Sequence, residues 1–164
     1  MVAWLALRTG GVDNIRILDR SPAGFEGPWL NYARMVTLRS PKTLTGPAFG
    51  HGPLTFQEWY RAQFGTADWE QLDKIPRPMW MDYLKWYRKV LDIPVENEVS
   101  VDLVEPDGDL LRLHLSGAAG GSILARKLVL ATGRDGTGKP NIPGFVDGLP
   151  RRLWAHSADE IDFA

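Results

Sequence analysis

Between residues 78 and 92 the apolar side chains Trp80, Met81, Leu84, Tyr87, Val90 and Leu91 recur at steps of three and four. That spacing lines one face of an α-helix and predicts one here, stopped by Pro94. Upstream, Thr55 followed by Glu58 reads as the N-cap and third position of another helix, Phe56 to Phe64. Residues 1–9 are apolar and helix-compatible, with Gly10 and Gly11 as their stop. Residues 14–19 then read as a short buried strand ending in Asp19. Past Pro94 the period changes from helical to alternating. Leu111, Leu113 and Leu115 alternate with Arg112, His114 and Ser116, as a half-buried antiparallel strand should. A strand over 99–105 precedes it through the turn Pro106-Asp107-Gly108, and one over 123–131 follows the glycines between 117 and 121. Leu128-Val129-Leu130-Ala131 is continuously apolar, as in a central strand covered on both faces.

The order is half a βαβ unit, a helical insertion, a three-strand antiparallel meander and a return into a parallel sheet. This predicts an α/β fold in which residues 1–164 form one partial domain. The unit's first strand is expected upstream of Met1. Residues 21–53 read as loop, punctuated by Pro22, Gly24, Pro28, Pro41, Pro47 and Gly50.

Composition narrows the function classes. A formal net charge of −1 gives no electrostatic reason for a nucleic-acid or anionic-membrane partner. No apolar stretch approaches the roughly 20 residues of a membrane span. The first residues lack the layout of a signal peptide, and the expected compartment is the cytoplasm. Without cysteine there is no disulfide framework and no thiolate nucleophile or ligand. His51, His114 and His156 lack ligand spacing, so no metal site is expected. Seven Trp and twelve Pro are many for this length. Their concentration between Pro22 and Pro94 suggests aromatic-anchored loops laid over a sheet.

Asp19 is the first candidate for chemistry. In a dinucleotide-binding βαβ unit, the acid closing the second strand accepts hydrogen bonds from a ribose, about 20 residues beyond a glycine-rich loop. Counting back that far reaches Met1, so the G-x-G-x-x-G loop is expected upstream. Asp19-Arg20 with Glu26-Gly27-Pro28-Trp29 resembles the acid and the G-G-x-W segment of flavin-containing monooxygenases and lysine/ornithine N-hydroxylases. Glu26 replaces the first glycine, so only Gly27 and Trp29 carry over. Leu130-Ala131-Thr132-Gly133 is similar to the A-T-G strand end of these flavoproteins, where small residues let the chain pass the FAD pyrophosphate. Asn141-Ile142-Pro143-Gly144, after Lys139-Pro140, resembles their P-x-I-P-G exit, and His156-Ser157 their H-S pair. The F-x-G-x-x-x-H pattern of Baeyer–Villiger enzymes is not met.

The resemblance implies an FAD/NAD(P)-binding Rossmann-like, three-layer domain, here incomplete. Its implied cofactor-binding residues are Asp19 and Arg20 at the ribose, Gly27 and Trp29 along the nucleotide, and Ala131, Thr132 and Gly133 at the pyrophosphate. Backbone groups near Val99 would meet adenine. Lys42 would lie beside the flavin ring, although a solvated loop lysine is the plainer reading. The complete protein would carry FAD, accept a hydride from NADPH and oxygenate a small molecule, the NADPH domain lying downstream. No residue reads as an acid, base or nucleophile, and the isolated chain is expected to be inactive. A non-catalytic binding module derived from a flavoprotein is the alternative. Gly133 to Lys139 also matches the phosphate-binding loop G-x-x-x-x-G-K, but Pro140 stands where Ser or Thr should hold Mg²⁺. Pro140 and Pro143 also exclude the helix that such a loop must open.

Overall fold

The computed structural model describes residues 1–133, 141–157, 159 and 161. Two cores organise it, one under the helical insertion and one under the meander. Helix α1 (Val2–Thr9) precedes strand β1 (Ile17–Asp19), which is shorter than the six residues anticipated. The insertion carries α2 (Phe56–Phe64), α3 (Thr66–Gln71) and α4 (Arg77–Val90). Thr55 caps α2 as its sequence suggests, its hydroxyl accepting from the Glu58 amide. Gly65, at φ +92°, divides α2 from α3, a helix that the pattern did not announce. Only Trp69 of α3 is buried, so six residues leave no amphipathic period to read.

The buried face of α4 is Met81, Tyr83, Leu84 and Tyr87. Val90, assigned to that face from spacing, is instead exposed, at the last position of the helix, where Tyr87 and Arg88 face the rest of the chain. Tyr83 takes the central place, meeting Phe56 edge-on with ring centroids 5.4 Å apart. Its hydroxyl donates to the Leu54 carbonyl (2.6 Å) and that of Tyr87 to Pro47 (2.6 Å). Burial pushes both phenols above their ordinary pKa. The two tyrosines thus fasten the proline-glycine loop onto the helix, and the bonds satisfy carbonyls that the loop cannot pair itself.

After α4 the chain turns at Asp92 (φ +47°) and forms β2 (Val95–Asn97), which pairs in parallel with β1. Pro94 conceals this three-residue strand in the sequence, since its neighbours show no alternation. A single left-handed residue, Glu98 (φ +59°), separates β2 from the meander β3 (Val99–Asp107), β4 (Leu110–Gly117) and β5 (Gly121–Ala125). Pairing is antiparallel in the order β3-β4-β5, with a register shift between Val101 and Leu103. Val99, Leu113 and Leu115 form its small core, joined by Leu18 from β1 and by Leu128.

One strand is corrected. The strand anticipated over 123–131 ends at Ala125, and Leu128–Ala131 has no strand partner among the described residues. Leu111 opposite Ala125 is the last pair, because β4 begins at Leu110 and the chain then runs past the hairpin tip. Instead of being covered on both faces, Val129 is 56% exposed and Leu130 64%. No described helix is long and apolar enough to cross a membrane.

Candidate functional site

Parallel register sets Asp19 opposite Asn97, at the end of β1 and two residues before Val99. Asp19 is half-buried and its Oδ1 accepts from the Ser21 amide (2.8 Å), which fixes the turn that follows. Arg20 is exposed. Val99 is buried and pairs with Gly117, whose missing Cβ matters: one built there would stand 2.1 Å from the Glu98 carbonyl oxygen. The same Glu98 carbonyl accepts from the Ala118 amide (2.9 Å). Asp19 and the start of β3, singled out separately in the sequence, therefore lie at one junction. Leu18 and Leu128 both pack on the core of Val99, Leu113 and Leu115, so the approach to Ala131–Gly133 begins against that core too. Gly133 has φ +72°, and no atom of the described residues lies within 4 Å of a would-be Cβ.

The segment after Asp19 is tied down by residues that sequence reasoning missed. Glu26 accepts from Arg88 and from Asn97 Nδ2 (2.7 Å) through Oε1, and from the Gly24 amide (2.9 Å) through Oε2. Reading Glu26 as a lost glycine hid its role as an anchor. Its cue would have been Arg88, a charge in the last turn of α4 on a chain with few basic pairs. Gly27 is exposed with φ +75°, a conformation that favours glycine, and open space surrounds its Cα. Trp29 meets Trp80 edge-on at 6.2 Å, while its carbonyl accepts from Arg77 (2.5 Å). The Gly27–Trp29 segment is thereby clamped to α4.

Lys42 is no solvated loop lysine. Its ammonium donates to the Trp69 carbonyl (2.6 Å) and sits 4.6 Å from that ring's centroid. Farther along, His156 donates its amide to Asp159 Oδ2 (2.5 Å), and Arg151 pairs with the same carboxylate. These bonds hold the Asp159 carboxyl below the usual carboxylate range, the Arg151 bond contributing most. An apolar cavity of about 250 Å³ lies here between Ile142, Phe145, Val146 and Trp154. Beyond Gly133, the G-x-x-x-x-G-K match lies outside the described residues, as does the Lys139-Pro140 start of the exit motif. Among the described residues no cluster of three or more His, Asp or Glu could hold a metal.

Asp19 thus stands as a half-buried carboxylate at the end of a parallel strand, the position from which a dinucleotide-binding unit reads a ribose. The profile of the FAD-NAD(P)-binding family matches residues 3–135, most of the chain. The chain belongs to the FAD-NAD(P)-binding family. Within it, the FAD-dependent urate hydroxylase of Xanthomonas campestris pv. campestris is 46% identical over 165 residues, covering 99% of this chain and 34% of that protein. The ornithine hydroxylase of Pseudomonas aeruginosa superposes with a TM-score of 0.58 at 15% identity, over 75% of this chain and 32% of that one. The ornithine N-hydroxylase of Kutzneria sp. 744, solved with reduced FAD, NADP⁺ and L-ornithine, gives 0.56 at 14% identity, over 68% and 29%. At such identities the two structures show the fold alone. This FAD-NAD(P)-binding chain spans about a third of the length of the relatives it matches.

Proposed function

We propose that the chain is the part of an FAD-binding domain that holds the adenosine end of the cofactor, within an FAD-dependent, NADPH-using monooxygenase of a small molecule. The observation that carries this reading is the register of Asp19 with Asn97, which sets a half-buried carboxylate at the β2–β3 junction. Bound FAD would supply the hydride acceptance and oxygen chemistry that no side chain here can perform. The protein's own part is placement. Asp19 accepts from the ribose hydroxyls, backbone groups at Val99 meet adenine, and the open backbones of Gly27 and Gly133 admit close approach. Trp29 holds the Gly27 segment in place through Trp80 and Arg77. Lys42, spent on Trp69, would help the flavin by fixing its loop rather than by offering a free charge. Ala131 and Thr132, with Gly133, would pass the pyrophosphate.

The site is completed by residues outside these 164, in this reading. A strand bearing a glycine-rich loop would fill the open edge of β1 and bring Leu128–Ala131 into the sheet, and a second nucleotide domain would follow. The 46% identity to a urate hydroxylase makes urate the first substrate to try. The deciding experiment is reconstitution of the full-length protein with FAD, followed by urate-dependent NADPH oxidation and oxygen uptake. Asp19→Asn should weaken FAD binding about thirtyfold, the scale of a hydrogen bond to a charged group. Unchanged FAD affinity in that variant would refute the ribose role.

A further inference from the structure

The turn that carries Asp19 is held from below by a polar relay. Ser21, whose amide fixes Asp19, has its carbonyl oxygen gripped by Asn97 Nδ2 (3.0 Å) and by the Glu98 amide (3.2 Å). Asn97 Oδ1 in turn accepts from Arg88 Nη2 (3.1 Å), which also donates to the Val95 carbonyl (3.1 Å). Arg88 Nη1 closes the ring on Glu26, whose other oxygen holds the Gly24 amide. Arg88 Nη2 thus grips β2 at Val95 and Asn97, while Arg88 Nη1 and Asn97 Nδ2 reach across to Glu26 and Ser21 in the loop that leaves β1. Arg88 and Glu26 are well covered, their side chains 28% and 19% exposed.

We propose that Asn97 and Arg88 are positioning residues that preorganise Asp19 for the adenosine ribose of FAD, an assignment that rests on the function proposed above. Stability alone accounts poorly for the arrangement. A partly buried ion pair gains little over apolar packing once desolvation is counted, whereas it fixes one geometry sharply. Ser21 O already has the Glu98 amide, so its second donor from Asn97 adds orientation more than satisfaction. A carboxylate accepting two ribose hydroxyls loses affinity steeply when its angle drifts, and this relay removes that freedom.

The test is a double-mutant cycle on FAD affinity in the full-length protein, stripped of flavin and titrated by fluorescence. Asn97→Ala should weaken FAD about tenfold, and Arg88→Lys, which keeps the charge on Glu26 but loses the fork, about threefold. In an Asp19→Asn background, Asn97→Ala should cost nothing further, because the geometry it protects no longer has a carboxylate to aim. Coupling of this kind is what a merely structural role would not produce, whatever happens to the melting temperature of the apoprotein. Should Asn97→Ala fail to fold, the Arg88→Lys cycle with Asp19→Asn reads the same coupling. If Asp19→Asn weakens FAD while the relay variants leave affinity unchanged, or multiply in full with it, the positioning role is overturned and the ribose reading survives. If Asp19→Asn itself has no effect, both fall.

Discussion

Glycine at position 117 shows how one missing side chain holds the candidate site together. Its φ of +88° lies where side chains are strained, and an added Cβ would meet the Glu98 carbonyl at 2.1 Å. That carbonyl belongs to the left-handed residue joining β2 to β3, so the clash cannot be relieved by rotating a flexible tip. Gly117→Ala should cost about 3 kcal/mol, combining the left-handed penalty with backbone displacement. Urea denaturation of the two proteins measures it. A loss below about 1 kcal/mol would mean that the β2–β3 junction yields easily and does not define the position of Asp19. The sequence showed Gly117 only as the start of a glycine-rich turn. Nothing local reveals that it faces Glu98, nineteen residues earlier, since that contact exists only once β3 and β4 have paired.

At the scale of elements, the parallel pair β1–β2 is short, three residues a side, and needs help from its flanks. Arg16, just before β1, makes a bidentate contact with Glu96 on β2, at 2.7 and 2.6 Å. Those bonds, more than the bare charge, hold the Glu96 carboxyl below its ordinary pKa and raise the guanidinium's. Both partners are about two-fifths exposed, so solvent screens the pair and Glu96→Gln should cost only about 0.5 kcal/mol at neutral pH. The sign in pH follows from the lowered folded pKa. The unfolded carboxylate titrates near about 4.3, so the contribution is complete above that pH and vanishes as pH falls through the lower folded value. Stability curves of wild type and Glu96→Gln should therefore converge in acid and run parallel above about pH 6. Curves that stay separated in acid would assign the difference to packing instead. Elements with a period of their own, α2, α4 and β4, were legible in the chain; β2 and α3 were not. A three-residue strand after proline and a six-residue helix after glycine are too short for any pattern, and tertiary contacts make them. Leu128–Ala131 failed in the opposite sense. Its apolar run is what a central strand needs, but a strand requires a neighbour, and β4 has already ended.

For the whole molecule, that unpartnered run bears on function. Val129 and Leu130 are apolar and largely exposed, and so are Leu103 on β3 and Leu124 on β5. Among the described residues the meander core holds three buried side chains, against eleven under the helices. The helical insertion thus carries most of the buried core, drawing in Trp4, Ile17 and Val95 from its flanks, whereas the meander side is thinly covered. A parallel strand lying between β1 and residues 128–131 would cover both apolar edges, and a helix N-terminus at its end would supply the amides that hold a pyrophosphate. The isolated 164-residue chain should accordingly fold around its aromatic core yet retain no stoichiometric flavin through purification, while the full-length protein should come out yellow. Flavin absorbance per protein, with hydrogen exchange on both, separates the cases. Exchange should be slow in α4 of either protein and fast in residues 128–131 of the short one alone. Stoichiometric flavin on the short chain would show that Asp19, Val99 and the Gly133 turn suffice to hold the nucleotide, and that the open edge of β1 needs no further strand.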